Sequence, residues 1–313
     1  MKPRYIILGA GLFMCVLSVA LISLKGKPAD VADLKSISEV GESVLHHLDK
    51  TGQILTAVSD EEEIRIGDQI YRRGWADTRP KSEQDQKLES YVARVGQRVA
   101  ENVKRRDIVY KFHVVDFPWA NAFACVGGHI YVTKGLLKGL KSEAELAGVL
   151  GHEITHVDSK HCIGAIQYRI LKEKIGRTNM DVLAEIGYQI LFRPGYTEFQ
   201  ETEADQGGVF LASSAGYHPL ALITAFENIK MTKRAPDRND SITPVGETLR
   251  AIRGVHDRYF STHPLTQDRI DKIRAYVKEN KLLEDRRVYN VGAREYEDAV
   301  LIVERVYREE QGI

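Results

Sequence analysis

His152-Glu153-Ile154-Thr155-His156 reads H-E-x-x-H, and its meaning depends on the backbone that carries it. On a helix, residues four apart lie on one face, one turn above each other. The two imidazoles then converge on a single cation, and Glu153 points to the same side, within reach of a water on that cation. This spacing suits zinc ligation, with the glutamate as general base of a hydrolase. The neighbouring sequence supplies the helix. Ser142-Glu143-Ala144-Glu145 has the form of a capping box, a serine followed three residues later by a glutamate. Leu146, Leu150, Ile154 and Val157 then recur on one buried stripe, with His152 and His156 beside it and facing a neighbouring element.

A catalytic zinc takes three protein ligands and keeps one position open. The extended pattern H-E-x-x-H-x-x-G-x-x-H fails, because Ser159 stands where the glycine belongs and Cys162 where the histidine belongs. His161 is nine residues past His152, about half a turn out of phase, and is read as a non-ligand. A second helix offers a carboxylate. In Glu201-Thr202-Glu203-Ala204-Asp205, Glu201 and Asp205 are four apart and share a face. Glu201 is a candidate zinc ligand, and Asp205 a candidate acceptor for the ring N–H of a ligating histidine. The alternative is a solvated acidic stretch. Gly207, Gly208 and Ala212 argue against it, since a solvent face needs no small residues. Glu203 lies off the shared face and is not read as a ligand.

Ahead of this helix, Ser59-Asp60-Glu61-Glu62 predicts a capped helix reaching about Tyr71. Leu88, Val92, Val95 and Val99 form the apolar stripe of a helix over 82–104. Residues 108–116 alternate and are rich in β-branched side chains, which predicts a strand. Gly127-Gly128 marks a turn, and 129–133 a second strand. Lying just before the metal helix, that strand suits an exposed sheet edge on which a peptide is held as an added strand, through Gly128, His129, Ile130 and Tyr131. A plain hairpin strand is the alternative.

Downstream, helices are expected over 164–175, 181–192 and 219–231, a polar loop over 233–246 and a terminal helix over 295–307. His263, just before Pro264, is a candidate active-site residue: an oxyanion donor, or the occupant of the open zinc position at rest. Arg269 either holds a nearby carboxylate or faces solvent.

The chain has 313 residues, 43% hydrophobic and 28% charged, an ordinary globular balance. Lys+Arg and Asp+Glu are equal at 44 each, so no basic footprint for nucleic acid exists. Cys15, Cys125 and Cys162 form no C-x-x-C pair, and Cys125 and Cys162 are read as separate thiols rather than a disulfide. Ile6 to Leu24 carries no charge and is bracketed by Lys2, Arg4, Lys25 and Lys27. It reads as a cleaved signal peptide or, given its length, a retained membrane anchor. The organisation expected is a signal or anchor over 1–27, an amphipathic helical lead-in over 28–58 and a metalloprotease domain over 59–313.

Several motifs together resemble the gluzincin zinc endopeptidases of the HtpX and CAAX-prenyl-protease group, metallopeptidase family forty-eight. These are H-E-I-T-H at 152–156, E-T-E-A-D at 201–205, N-A-F-A with G-G-H-I-Y-V-T-K-G-L-L at 121–137, A-G-Y-H-P at 215–219 and S-T-H-P-L-T-Q-D-R-I at 261–270. The resemblance spans roughly residues 60–280. It implies Glu201 as third ligand beside His152 and His156, one Zn²⁺ per chain, and the exported, single-anchor branch of the group. Cys125-Val126 stands where the group has Leu-Pro, and Thr197-Glu198 where it often has Ser-Arg. The fold expected is α+β, a mostly helical zincin-like domain with a small sheet beside the H-E-x-x-H helix. The function expected is hydrolysis of misfolded or unassembled polypeptides at the periplasmic face of a bacterial cell envelope, Glu153 activating a zinc-bound water. The alternatives are a chaperone-like envelope binding protein with a latent zinc site and a non-peptidase zinc hydrolase.

Overall fold

The structure, a computed structural model, describes residues 58–75, 82–173, 180–191, 195–231, 259–284, 289–292, 294, 296 and 297. The N-terminal apolar run, the lead-in helix, the loop at 233–246 and most of the terminal helix lie outside the described residues. No helix of the described residues is long and apolar enough to cross a membrane.

Helix α1 (Asp60–Ile70) starts at Ser59, whose hydroxyl accepts from Glu62 N while the Glu62 carboxylate accepts from Ser59 N, the full capping box read from the sequence. A short π-helical turn (Tyr71–Trp75) ends it. Helix α2 (Glu83–Ala100) follows, then strands β1 (Lys111–Val115), β2 (Ala122–Cys125) and β3 (His129–Thr133). The helices after the sheet are α3 (Lys134–Gly139), α4 (Glu143–Asp158), α5 (His161–Glu173), α6 (Met180–Leu191), α7 (Glu198–Ser214) and α8 (Ala221–Met231). The short α9 (Tyr259–Thr262) and α10 (Gln267–Glu279) complete the described order. The architecture is α+β and mostly helical, with a small mixed sheet.

The sheet order is β1-β3-β2, β3 running parallel to β1 and antiparallel to β2. This corrects the expectation of an edge strand at 129–133. β3 is the central strand, every residue of it is buried, and its backbone is paired on both sides. His129, Ile130 and Tyr131 therefore cannot accept an added strand, and Gly128 lies in the buried turn before them. The edge next to the metal helix is β2, which the sequence reading left unassigned. Gly127 and Gly128 take φ of +74° and +85°, where a Cβ on Gly128 would stand 2.7 Å from Val109 O. The pair reverses the chain between β2 and β3, a requirement glycine meets without strain.

Helix α4 is buried all round from Ala144 to Val157, not along one stripe. The sheet, α2, α7 and α8 surround it, and its largest interface is with α7. That approach is as close as backbones allow. A Cβ on Gly151 would lie 2.7 Å from Gly208 O, and a Cβ on Gly208 would lie 2.7 Å from His152 N. Ser142 caps α4 by accepting from Glu145 N, but the Glu145 carboxylate turns to Lys141 N and Asn228. Only half of the expected capping box forms.

Candidate metal centre and active site

The glycine contact between α4 and α7 sets two helix faces against each other, one carrying His152 and His156 and the other Glu201 and Asp205. A third segment, α9 and the residues after it, brings His263. All four of His152, His156, Glu201 and His263 are buried, and one donor atom from each lies within 4.8 Å of every other. His152 Nε2 is 3.1 Å from His156 Nε2 and 3.2 Å from His263 Nδ1. His263 Nδ1 is 2.9 Å from Glu201 Oε1, and the Glu201 oxygens are 3.6 and 3.8 Å from the two motif histidines. Tetrahedral ligands about 2.0–2.1 Å from a zinc ion are about 3.3 Å apart. The donor set thus fits zinc in chemistry and in spacing.

His152 Nδ1 lies 2.9 Å from Asp205 Oδ1, as the shared helix face of Glu201 and Asp205 suggested. Arg269 backs this pair. Buried at 1% exposure, it donates from Nε and Nη2 to the two Asp205 oxygens and from Nη1 to Pro264 O. Its Nη1 also sits 2.8 Å from Glu201 Oε2, at an angle that leaves that buried oxygen without a hydrogen bond among the described residues. Of the two sequence readings of Arg269, the structure therefore supports the carboxylate partner.

Glu153 is fully buried. Tyr259 donates to its Oε1 at 3.3 Å, and Oε2 has no hydrogen bond among the described residues. Tyr259 also stacks on His263, and its backbone N–H donates to Ala120 O at the start of the β2 segment. One short segment therefore touches the donor cluster, Glu153 and the residues leading into β2. Nothing in the sequence pattern singled out Tyr259; its place one helical turn before His263 is the only signal it left.

His161, read as a non-ligand, stays out of the donor cluster but is buried with Nδ1 3.0 Å from His156 Nδ1. His129 is held elsewhere. Its Nε2 meets Asp68 Oδ1 at 3.0 Å, its Nδ1 meets His113 Nε2 at 3.0 Å, and Tyr71 stacks over both rings. Burial pushes His113 down to about 3 and lowers His129 as well, so this pair is a neutral packing element beneath α1. Cys125 and Cys162 are both free and buried.

Electrostatics follow from burial and charge. Burial, followed by the neighbouring histidines and Arg269, pushes His156 well below its ordinary range and keeps its lone pair available. Burial alone would raise Glu201, but His263, His152 and Arg269 outweigh it and hold the carboxyl at about 2. Burial alone would lower His263, but the Glu201 and Glu153 carboxylates outweigh it and raise it.

The family model described as Peptidase family M48 matches residues 86–277, more than half of the chain. The chain belongs to peptidase family M48. The matched region takes in the H-E-x-x-H helix, the Glu201 helix and the His263–Arg269 segment. Similar proteins include the mitochondrial metalloendopeptidase OMA1 of Schizosaccharomyces pombe, 28% identical over 60% of this chain and 53% of that protein. The putative beta-barrel assembly-enhancing protease of Vibrio cholerae is 26% identical over 59% of this chain and 38% of that protein. OMA1 of Arabidopsis thaliana is 34% identical over 39% of this chain and 26% of its own length. The chain thus spans about half or less of the length of these relatives.

Proposed function

We propose that this M48 chain is a zinc-dependent endopeptidase in which His152, His156 and Glu201 hold one Zn²⁺ and Glu153 is the general base. The observation that carries this reading is the convergence of the three donors from two helices, with the Glu153 carboxylate 3.6 Å from His263 and its Oε2 without a hydrogen bond among the described residues. Zinc supplies Lewis-acid polarisation of the scissile carbonyl and acidifies water. Glu153 takes the proton of the attacking water and passes it to the leaving amine. Asp205, braced by Arg269, fixes the tautomer and orientation of His152.

His263 fills the fourth donor position at rest rather than serving as a catalytic group in that pose. What supports this is that its Nδ1 lies 3.2 Å from His152 Nε2 and 2.9 Å from Glu201 Oε1, so it would be available as a fourth donor to an ion held by the other three. Hydrolysis would then require His263 to leave that position, and a shift of the preceding α9 with it would also part Tyr259 from Glu153. His263→Ala should raise peptidase activity; a loss of activity would favour the oxyanion role.

The substrate is a polypeptide, and β2 is the strand that aligns it. The outer edge of β1 is plugged by α2, where Glu89 accepts from Val114 N and Gln97 donates to Tyr110 O. The Thr133 N to Asn121 O bond sets the ladder phase, and this turns the backbone groups of Ala122 and Ala124 away from β3. Photo-crosslinking of a bound peptide should label 122–125 and spare 129–133.

An envelope location, with misfolded or unassembled proteins as substrates, rests on the apolar run at 6–24. The relatives divide between a mitochondrial metalloendopeptidase and a putative beta-barrel assembly-enhancing protease. The deciding experiment measures zinc content and cleavage of an unfolded protein by wild type and Glu153→Gln. The variant should keep its zinc and lose about 10²–10⁴ in rate. A wild type without zinc, or a variant that cleaves equally well, overturns the reading. Suppression of aggregation without cleavage by either would point to the chaperone-like alternative.

A further inference from the structure

We propose that His161 and Glu203 form a second orienting relay that positions the ligand His156, as Arg269 and Asp205 position His152. The inference rests on the zinc reading above and concerns two residues that reading does not use. A histidine that ligates through Nε2 carries its proton on Nδ1, and that proton needs an acceptor. For His152 the acceptor is Asp205. For His156 the atom facing Nδ1 is His161 Nδ1, 3.0 Å away, with the two rings steeply inclined.

The direction of this hydrogen bond follows from the ligand's tautomer. His156 Nε2 points into the donor cluster with a lone pair, so its Nδ1–H donates. His161 Nδ1 must then be the accepting nitrogen, which places the His161 proton on Nε2. That nitrogen faces Glu203 Oε2 at 3.3 Å, and Ser159 Oγ donates to the other Glu203 oxygen at 3.0 Å. The chain of donors therefore runs from His156 through His161 to a carboxylate, with the imidazole inserted where His152 has direct contact. Its inner member is buried, while the Glu203 side chain is 37% exposed, so the relay leads from the metal site toward solvent.

The backbone is bent to make this contact. Ser159 closes α4, and Lys160 then takes φ +63°, a left-handed conformation unfavourable for a residue with a Cβ. That turn starts α5 in a new direction and brings His161 back over His156, although straight helical phase would have carried it away. A left-handed residue held between two helices, directly before the His161 that contacts His156, is the kind of cost kept where a geometry is used. Tyr196, stacked on His156 with ring centroids 3.7 Å apart, holds the face of the imidazole that His161 does not reach.

The test is zinc affinity, measured by chelator competition on reloaded protein, together with the visible spectrum of the Co²⁺-substituted form. His161→Leu should weaken zinc binding about 10–100-fold and alter the cobalt bands. His161→Asn, whose side-chain oxygen stands near the place of Nδ1, should recover most of the affinity. Glu203→Ala, which leaves the ligand's own contacts intact, should weaken binding several-fold. Thermal midpoints of the metal-free variants separate loss of fold from loss of positioning, and Glu203→Ala carries the test if His161→Leu does not fold. Wild-type affinity and an unchanged cobalt spectrum in His161→Leu, or in Glu203→Ala in that event, overturn the relay, provided Glu201→Ala lowers affinity in the same assay. A wild type that binds no zinc overturns the metal reading, and the relay with it.

Discussion

Arg269 shows how much of the candidate site depends on a residue outside the donor cluster. Its guanidinium is buried, lies over the Phe226 ring and neutralises two buried carboxylates, Asp205 and Glu201. Removing one partner of such a cluster leaves uncompensated charge in a low-dielectric interior. Arg269→Met should destabilise the metal-free protein by about 3–5 kcal/mol in urea unfolding. Arg269→Lys should restore little, because one ammonium cannot span both carboxylates as the planar fork does. A cost below about 1 kcal/mol for Arg269→Met would show that the carboxylates find other counter-charge. Asp60 gives a pH-dependent counterpart away from the site. Its hydrogen bond from Arg105 outweighs burial and holds the carboxyl below its ordinary 3.8. A carboxyl depressed by folding adds stability above its unfolded pKa and loses that contribution as pH falls through the folded value. Asp60→Asn should therefore cost about 1 kcal/mol at pH 7. The difference from wild type should shrink as pH falls below about 4, as urea titrations at several pH values would show. A gap that stays constant to pH 2 contradicts the assignment.

At the scale of elements, the centre is made by the contact of α4 with α7. Glycine at 151 and 208 lets Gly208 O approach the neighbouring helix at a distance a methyl group would fill. The atoms a new Cβ would meet are backbone, which cannot rotate away. Gly208→Ala should cost about 1–3 kcal/mol in stability through overpacking. It should also push Glu201 from His152 and His156 and lower zinc affinity, whereas Ala212→Gly, further along α7, should leave affinity near wild type. Equal affinity in Gly208→Ala and wild type would mean the helices yield elsewhere. The small residues at 207, 208 and 212 were legible in the sequence as a close-packing stripe, since solvent makes no such demand. The position of β3 was not. Alternation and two preceding glycines describe a strand equally well at the centre or the edge, and pairing partners are set by residues far along the chain.

At the scale of the whole molecule, the four donors come from three separated stretches, α4, α7 and the segment at 259–266. A ligand that binds only the folded state stabilises it by mass action, about 4 kcal/mol at a thousandfold excess over Kd. For a domain of this size each kcal/mol moves the thermal midpoint by about 2–4 °C. Stripping the metal with a chelator should therefore lower the midpoint by about 8–16 °C, read by calorimetry. Glu201→Ala should show a much smaller shift. A wild-type midpoint indifferent to chelation would contradict a cation linking these stretches.

By itself the sequence determined the parts whose geometry is local. His152, Glu153 and His156 share a helix face because 3.6 residues make a turn, and Glu201 and Asp205 share another for the same reason. Ser59 and Ser142 announce helix starts because the first amides of a helix need acceptors. Only the tertiary structure decided which strand is the edge, that His263 joins the donor cluster, that Arg269 binds Asp205 rather than solvent, and that His161 returns to His156. Each of these is a contact between elements. Helical phase holds only within one helix, and it ends at the turn where Lys160 takes a positive φ.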